Sequence, residues 1–81
     1  MQGRRVYAGE DGFLPPLQPG DYGIHEGKWY GKTPNGYTCG LANHQVTEHE
    51  NGTITVSPSI LVSTDVEVWH GYLINGVWQS C

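Results

Sequence analysis

The sequence predicts an all-β domain, either a small antiparallel meander or a partly closed barrel, built from Asn-Gly hairpins. No stretch repeats apolar residues at the helical period over a useful length. Three Asn-Gly pairs divide the chain, and such a pair between β-prone flanks is the strongest short-range hairpin signal. The 81 residues are also rich in Trp, Tyr and Gly, so we expect a few large rings to fill a small core.

The chain is long enough for one domain, in which we expect two parts. Residues 1–20 are predicted to form an N-terminal arm and then a proline-rich loop, FLPPLQPG at 13–20. Residues 21–81 are predicted to form the meander core. Two alternatives stay open for the first twelve residues, an edge strand around Val6-Tyr7 or a loose arm.

The first hairpin is predicted around Thr33-Pro34-Asn35-Gly36. Proline at the second position and glycine at the fourth are typical of a type I turn, and a left-handed Gly36 would add a bulge. The flanking segments, KWYGK at 28–32 and YTCGL at 37–41, are predicted strands.

The second hairpin is predicted around Asn51-Gly52. A two-residue turn there pairs Glu50 with Thr53 and His49 with Ile54. This register places His49 beside Ile54 on the inner side of the sheet. The residues expected on the outer side are Val46, Glu48, Glu50, Thr53, Thr55 and Ser57.

Further strands are predicted after this hairpin. Pro58 is expected to end the strand, because proline cannot donate to a ladder, and residues 59–63 form one more short strand. The third hairpin, around Asn75-Gly76, has the clearest pattern and pairs Ile74 with Val77. One of its faces carries Trp69, Leu73 and Trp78. The other face carries His70, Tyr72, Ile74, Val77 and Cys81.

The charge of the chain excludes some partners. The formal net charge is −4, with only four basic side chains: Arg4, Arg5, Lys28 and Lys32. Proteins that bind duplex DNA commonly contact about 6–10 phosphates, so we expect no duplex DNA binding. No apolar run approaches the roughly 18 residues of a membrane span, and no signal-like segment follows Met1. We therefore expect a cytoplasmic protein that does not bind membranes.

His44, Glu48 and His49 are close enough in sequence to suggest a metalloprotease motif. That chemistry needs two histidines on one face of a helix, whereas a strand sends Glu48 and His49 to opposite faces. The candidate nucleophiles are Ser57, Ser59 and Cys39. None of them lies in a turn such as G-x-S-x-G, so we expect neither enzymatic activity nor a cofactor.

A structural zinc site is an alternative role for several of these residues. The predicted register opposes His70 and Cys81, which could supply half of a tetrahedral site. Cys39, together with His44 or His49, would supply the other half. No C-x-x-C spacing accompanies them, so structural roles and free thiols are favoured.

Aromatic side chains are numerous for so small a chain. The main ones are Trp29, Tyr30, Tyr37, Trp69, Tyr72 and Trp78. Rings left on an open face could stack on a base or a peptide, although filling of the core is the favoured interpretation.

Two sequence blocks give the chain a resemblance to a known family. The blocks HQVTEHENGTITVSPSI at 44–60 and WHGYLINGVW at 69–78 resemble a family of short bacterial and phage proteins classed as a domain of unknown function. The resemblance implies a phage origin but no particular activity. Longer, cysteine-rich relatives suggest a metal, yet Glu67 stands where their later cysteine would be.

We expect a small non-catalytic, phage-type accessory protein that docks on a host protein. One alternative is a phage sponge that binds a nucleotide-derived signalling molecule at a homodimer interface. The other alternative is a zinc-stabilised small domain. The candidate ligand-binding residues are Trp29, Tyr30, His44, Glu48, His49, Ser57, Ser59, Trp69 and His70.

Overall fold

Eight strands arranged in two sheets make up the computed structural model, which describes residues 1–81. The strands are β1 (Arg4–Arg5), β2 (Asp21–His25), β3 (Lys28–Lys32), β4 (Thr38–Gly40), β5 (Gln45–Glu48), β6 (Ile54–Ser63), β7 (Val68–Ile74) and β8 (Val77–Ser80). One sheet has the order β1-β2-β3-β4 and the other β5-β6-β7-β8, and only β1 and β2 run parallel. The all-β meander is confirmed, but the sheets do not close into a barrel. No helix in the structure has the length and apolar character that a membrane crossing requires.

The hairpin around Asn75-Gly76 forms with the predicted register. β7 and β8 pair Ile74 with Val77 and Leu73 with Trp78. The two turn residues have φ angles of 50° and 77°, as a type I′ turn requires. Along β7 buried and exposed residues alternate, so the predicted division into an inner and an outer face is confirmed.

The hairpin around Thr33–Gly36 also forms as predicted. The N–H of Gly36 donates to the Thr33 carbonyl at 2.9 Å, and the N–H of Thr33 donates to the Tyr37 carbonyl at 2.8 Å. Gly36 has a φ of 96°, a left-handed conformation that glycine adopts without steric cost. This is the bulged type I turn that the sequence predicts, and it joins β3 to β4.

The register predicted for the second hairpin is wrong by one residue. Glu48 pairs with Ile54, and the connection runs through residues 49–53 instead of a two-residue turn. The turn is a bulged type I turn like the one at Thr33–Gly36: the N–H of Gly52 donates to the His49 carbonyl at 2.9 Å, the N–H of His49 donates to the Thr53 carbonyl at 2.8 Å, and Gly52 has a φ of 88°. Asn51 Oδ1 accepts hydrogen bonds from the N–H of Thr53 at 3.1 Å and from its hydroxyl at 2.7 Å, which stabilise this turn.

This slip moves side chains between the two faces of the sheet. Glu48 lies on the side of the buried Ile54 and not on the outer side. His49, expected beside Ile54, instead has its Nε2 2.7 Å from Thr55 Oγ1, on the outer side.

Pro58 does not end the strand, contrary to the prediction. β6 continues to Ser63, and its pairing with β7 shifts between Val56 and Ile60. A bulge leaves its extra residues outside the ladder, so the missing N–H of Pro58 breaks no pairing. Residues 59–63, predicted as a separate strand, are the second half of β6.

The first residues of the chain join the two sheets. The Met1 carbonyl accepts the N–H of Trp78 at 2.8 Å, and the N–H of Gly3 donates to the Gly76 carbonyl at 2.7 Å. The chain then continues into β1, beside β2. The side chain of Trp78, on the second sheet, also bonds to the segment before β2: its Nε1 donates to the Gly20 carbonyl at 2.9 Å. The edge of β8 is therefore bound to the N-terminal segment.

A single hydrophobic core lies between the sheets. Its buried residues are Tyr22, Leu41, Ile54, Val56, Ile60, Trp69, Leu73 and Trp78. The rings of Trp69 and Trp78 meet edge-on, with centroids 5.7 Å apart. Tyr22 and Leu41 come from the first sheet and the turn that follows it, so both sheets bury their inner faces in this core.

Candidate functional site

The outer face of β6, β7 and β8 has no charged side chain, because none of these strands contains Asp, Glu, Lys or Arg. Four large apolar residues on it are exposed: Leu61 by 63%, Val68 by 61%, Tyr72 by 41% and Ile74 by 39%. Leu61 on β6 pairs with His70 on β7, so His70 lies between these apolar residues on the same face. We call this surface, defined by Leu61, Val68, His70, Tyr72 and Ile74, the neutral face.

Three of the predicted ligand-binding residues meet beside the β6 irregularity. His70 Nε2 lies 2.7 Å from Ser59 Oγ, and His44 Nε2 lies 3.1 Å from the Ser59 carbonyl oxygen. His44 Nδ1 is buried and has no hydrogen-bond partner. These contacts depend on β6 continuing past Pro58, since Ser59 would otherwise lie beyond the strand.

Ser59 and His70 are as close as a catalytic nucleophile and its base, but they lack the surroundings of a catalytic site. Nucleophilic catalysis also uses a third group that orients the base, and a site that excludes water. His70 Nδ1 forms no hydrogen bond, and His70 is exposed on an open sheet surface. The pair therefore has neither an orienting group at His70 Nδ1 nor an enclosure that excludes water.

Arg5 organises a second cluster, which was not predicted from the sequence. Its guanidinium carbon lies 4.7 Å from the ring centroid of Tyr7 and 4.8 Å from that of Trp29. Its Nη1 donates to Glu48 at 2.9 Å and to the Gly52 carbonyl at 3.0 Å. The Arg5 side chain is only 13% exposed, and its charge is paired with Glu48, while its Nε is buried without a hydrogen-bond partner.

The other basic side chains leave little positive charge for a ligand. Arg4 donates to both carboxylate oxygens of Asp21, at 3.0 and 2.9 Å. Burial alone would raise the pKa of Asp21, but hydrogen bonds from Arg4 and the Gln18 N–H outweigh it and hold the pKa below its ordinary value. Lys32 donates to the Leu17 carbonyl at 3.2 Å. Lys28 is therefore the one basic side chain that forms neither a hydrogen bond nor an ion pair.

The residues of the predicted zinc site are not assembled. No group of three or more His, Cys, Asp and Glu side chains is placed to hold a metal ion. Cys39 lies on β4 in the first sheet, with its thiol 3.5 Å from the Gly31 carbonyl. His70 and Cys81 are neighbours on the second sheet, where the Cys81 N–H donates to the His70 carbonyl at 2.8 Å. Both cysteines are free thiols.

The remaining predicted site residues are dispersed. Trp69 is buried in the core and is absent from the surface that a ligand would meet. Tyr30 is half-buried on β3, in the first sheet. His49 lies near the β5–β6 turn, and Ser57 is exposed at the β6 irregularity.

A cleft of about 370 Å³ lies in the loop between β1 and β2. Residues within 7–16 line it: Tyr7, Gly9, Asp11, Phe13, Leu14, Pro15 and Pro16. The sequence predicts the proline-rich part of this loop but no site in it. The signal that could have found it is the combination of Tyr7, Phe13 and the two adjacent prolines.

No protein-family model matches the chain, and neither a curated protein nor a solved structure shows significant similarity to it. The resemblance to short phage proteins therefore rests on the two sequence blocks alone.

Proposed function

We propose that the chain is a small, non-catalytic binding protein that docks on a protein partner through the neutral face. The observation that carries this proposal is the exposure of four large apolar side chains on a sheet surface without a formal charge. The centres of protein interfaces are depleted in charged residues and enriched in aromatic ones, and Tyr72 provides such a ring.

The size of the neutral face is consistent with this role. Seven residues of β7 at about 3.3 Å each, across three strands about 4.8 Å apart, give the whole face, including polar residues such as His70 and Gln79, a footprint of roughly 300 Å². The largest apolar patch on a typical monomer is about 300–600 Å² and is often functional. A standard interface buries about 800 Å² per partner, so surrounding polar surface would complete the contact.

The nucleotide-sponge alternative receives less support. A ligand with several phosphates needs cationic side chains, and both arginines already contact carboxylates. Only Lys28 and Lys32, neither of which forms an ion pair, would be left to neutralise the ligand. The resemblance to phage proteins makes a protein of the bacterial host the partner to test first, in the host cytoplasm.

The proposal is tested by placing a charge in the neutral face. Leu61→Asp should abolish capture of a defined host protein, because a buried, unpaired carboxylate strongly opposes binding. Val66→Asp is the matched control, since Val66 is also an exposed apolar residue but lies in the turn between β6 and β7, outside both the neutral face and the cleft of residues 7–16. Circular dichroism should show that both variants fold.

Sedimentation of the purified chain forms the second arm of this test. If a second copy of the chain covers the neutral face, the wild type is a dimer and Leu61→Asp a monomer. Capture that is equally strong with Leu61→Asp and the wild type, together with monomeric wild type, would exclude the neutral face as the docking surface.

A further inference from the structure

The cleft in residues 7–16 presents two aromatic rings that are exposed but fixed. Tyr7 carries the Arg5 guanidinium against its ring. The ring of Phe13 stacks on the imidazole of His25, with centroids 5.2 Å apart and planes 27° apart. Both aromatic side chains nevertheless expose more than half of their surface. Rings held in this way lose little freedom when a ligand packs on them.

The loop that holds the rings is bound to itself and to β2. The N–H of Gly9 donates to the Phe13 carbonyl at 3.0 Å, and the N–H of Gly12 donates to the Gly9 carbonyl at 3.0 Å. The Phe13 N–H donates to Asp11 Oδ1 at 3.0 Å. His25 Nδ1 lies 2.9 Å from the Gly12 carbonyl oxygen. The cleft is therefore largely formed before a ligand arrives.

The charge around the cleft is negative. Glu10 and Asp11 are exposed, neither forms an ion pair, and Asp11 Oδ2 has no hydrogen bond. Arg5, which contacts the ring of Tyr7 in the cleft, already donates to Glu48. An anionic ligand would therefore meet uncompensated carboxylates, whereas a cationic ligand would neutralise them.

We propose that this cleft binds an extended, proline-rich peptide segment that carries a basic side chain. A polyproline II segment has no internal hydrogen bonds and docks its rings into grooves lined by aromatic residues. Tyr7 and Phe13, together with Pro15 and Pro16, supply such a lining. Asp11 receives the basic side chain. This site is separate from the neutral face, and either one can be correct without the other.

The test is a titration of the ¹⁵N-labelled chain with a synthetic peptide of repeated Pro-Pro-Arg triplets, followed by amide chemical shifts. We expect the shifts to concentrate in residues 7–16 and around His25. Phe13→Ala should weaken binding about tenfold, as loss of an aromatic anchor commonly does. Tyr72→Ala, which removes an exposed ring from the neutral face, should leave the affinity unchanged. Tyr7→Phe should also bind normally, because it retains the ring.

Two control peptides test the chemistry of recognition. Replacing every arginine with glutamate should abolish binding, and replacing every proline with alanine should weaken it about tenfold or more. Asp11→Asn should reduce both the affinity and its dependence on salt. Equal binding of the glutamate peptide, shifts located outside the loop, or no shifts at millimolar peptide would each overturn the proposal. Tetramethylammonium binding as tightly as the peptide would overturn it too, since the cleft would then recognise a cation and not a peptide.

Discussion

Replacement of Trp78 by phenylalanine tests how the two sheets are held together. Trp78 belongs to β8 in the second sheet, is 1% exposed, and donates its indole N–H to the carbonyl of Gly20, just before β2 in the first. Trp78→Phe removes this hydrogen bond and part of the ring that fills the core between the sheets. We therefore expect it to destabilise the whole domain and not only the hairpin that carries it.

The expected cost follows from two contributions. The lost hydrogen bond costs about 1 kcal/mol, and not more, because the Gly20 carbonyl still accepts the Arg4 N–H at 3.1 Å. Truncation of the buried ring costs a further 1–2 kcal/mol, approximately, since the removed atoms leave a cavity. A loss of about 2–3 kcal/mol corresponds to a melting temperature roughly 10–20 °C lower for a domain of this size.

Thermal unfolding followed by far-ultraviolet circular dichroism measures this loss without relying on tryptophan emission. Trp69→Phe is the matched control: Trp69 is also buried and contacts Trp78, but its indole N–H forms no hydrogen bond within the chain. It should lose only the ring contribution, about 1 kcal/mol less than Trp78→Phe. Equal destabilisation of the two variants would refute the idea that the bond to Gly20 secures the sheets.

Three further predictions follow from buried groups. The pKa of Asp21 is lowered in the folded protein, so the stabilisation that Asp21 provides is complete above the ordinary aspartate pKa. This stabilisation is lost as the pH falls below about 4 and through the pKa that Asp21 has in the folded protein. Melting curves of Asp21→Asn should lack this part of the acid dependence. Burial raises the pKa of the Cys39 thiol, whereas Cys81 is exposed. A disulfide reagent near pH 8 should therefore label Cys81 at least about tenfold faster than Cys39, and Cys81→Ser should remove the fast phase of labelling. Gly31→Ala would place a methyl group 3.1 Å from Trp78 Cη2, and urea unfolding should show a loss of about 1–3 kcal/mol; unchanged stability would mean that the ring can shift.

The three Asn-Gly pairs show what local sequence can determine. Around Asn75-Gly76 the two-residue turn sets the register, and the alternation of buried and exposed residues along β7 agrees with it. At Asn51-Gly52 the chain forms a longer, bulged turn, in which the Asn51 side chain also binds Thr53. The flanking Glu48 also meets Arg5, a residue from a distant segment that no local pattern reveals.

The candidate site was predictable only where it follows from alternation along a strand. The outer positions of His70, Tyr72 and Ile74 follow from the third hairpin, and the structure confirms them. The contact between His70 and Ser59 does not follow, because it requires a bulge that lets β6 run past Pro58. The stacking of Tyr7 on Arg5 was likewise outside the reach of periodicity, since both lie before the regular hairpins begin.

The distribution of charge links the two proposed surfaces. Of the four basic side chains, the two arginines are paired with Asp21 and Glu48, and only Lys28 and Lys32 form no ion pair. The remaining carboxylates stay unneutralised on loops, while strands β6 to β8 have none. The molecule therefore separates an acidic, ring-lined cleft from an uncharged apolar sheet. Partners that suit these surfaces differ in charge, so high salt should weaken binding at the cleft while leaving binding at the neutral face intact or strengthened.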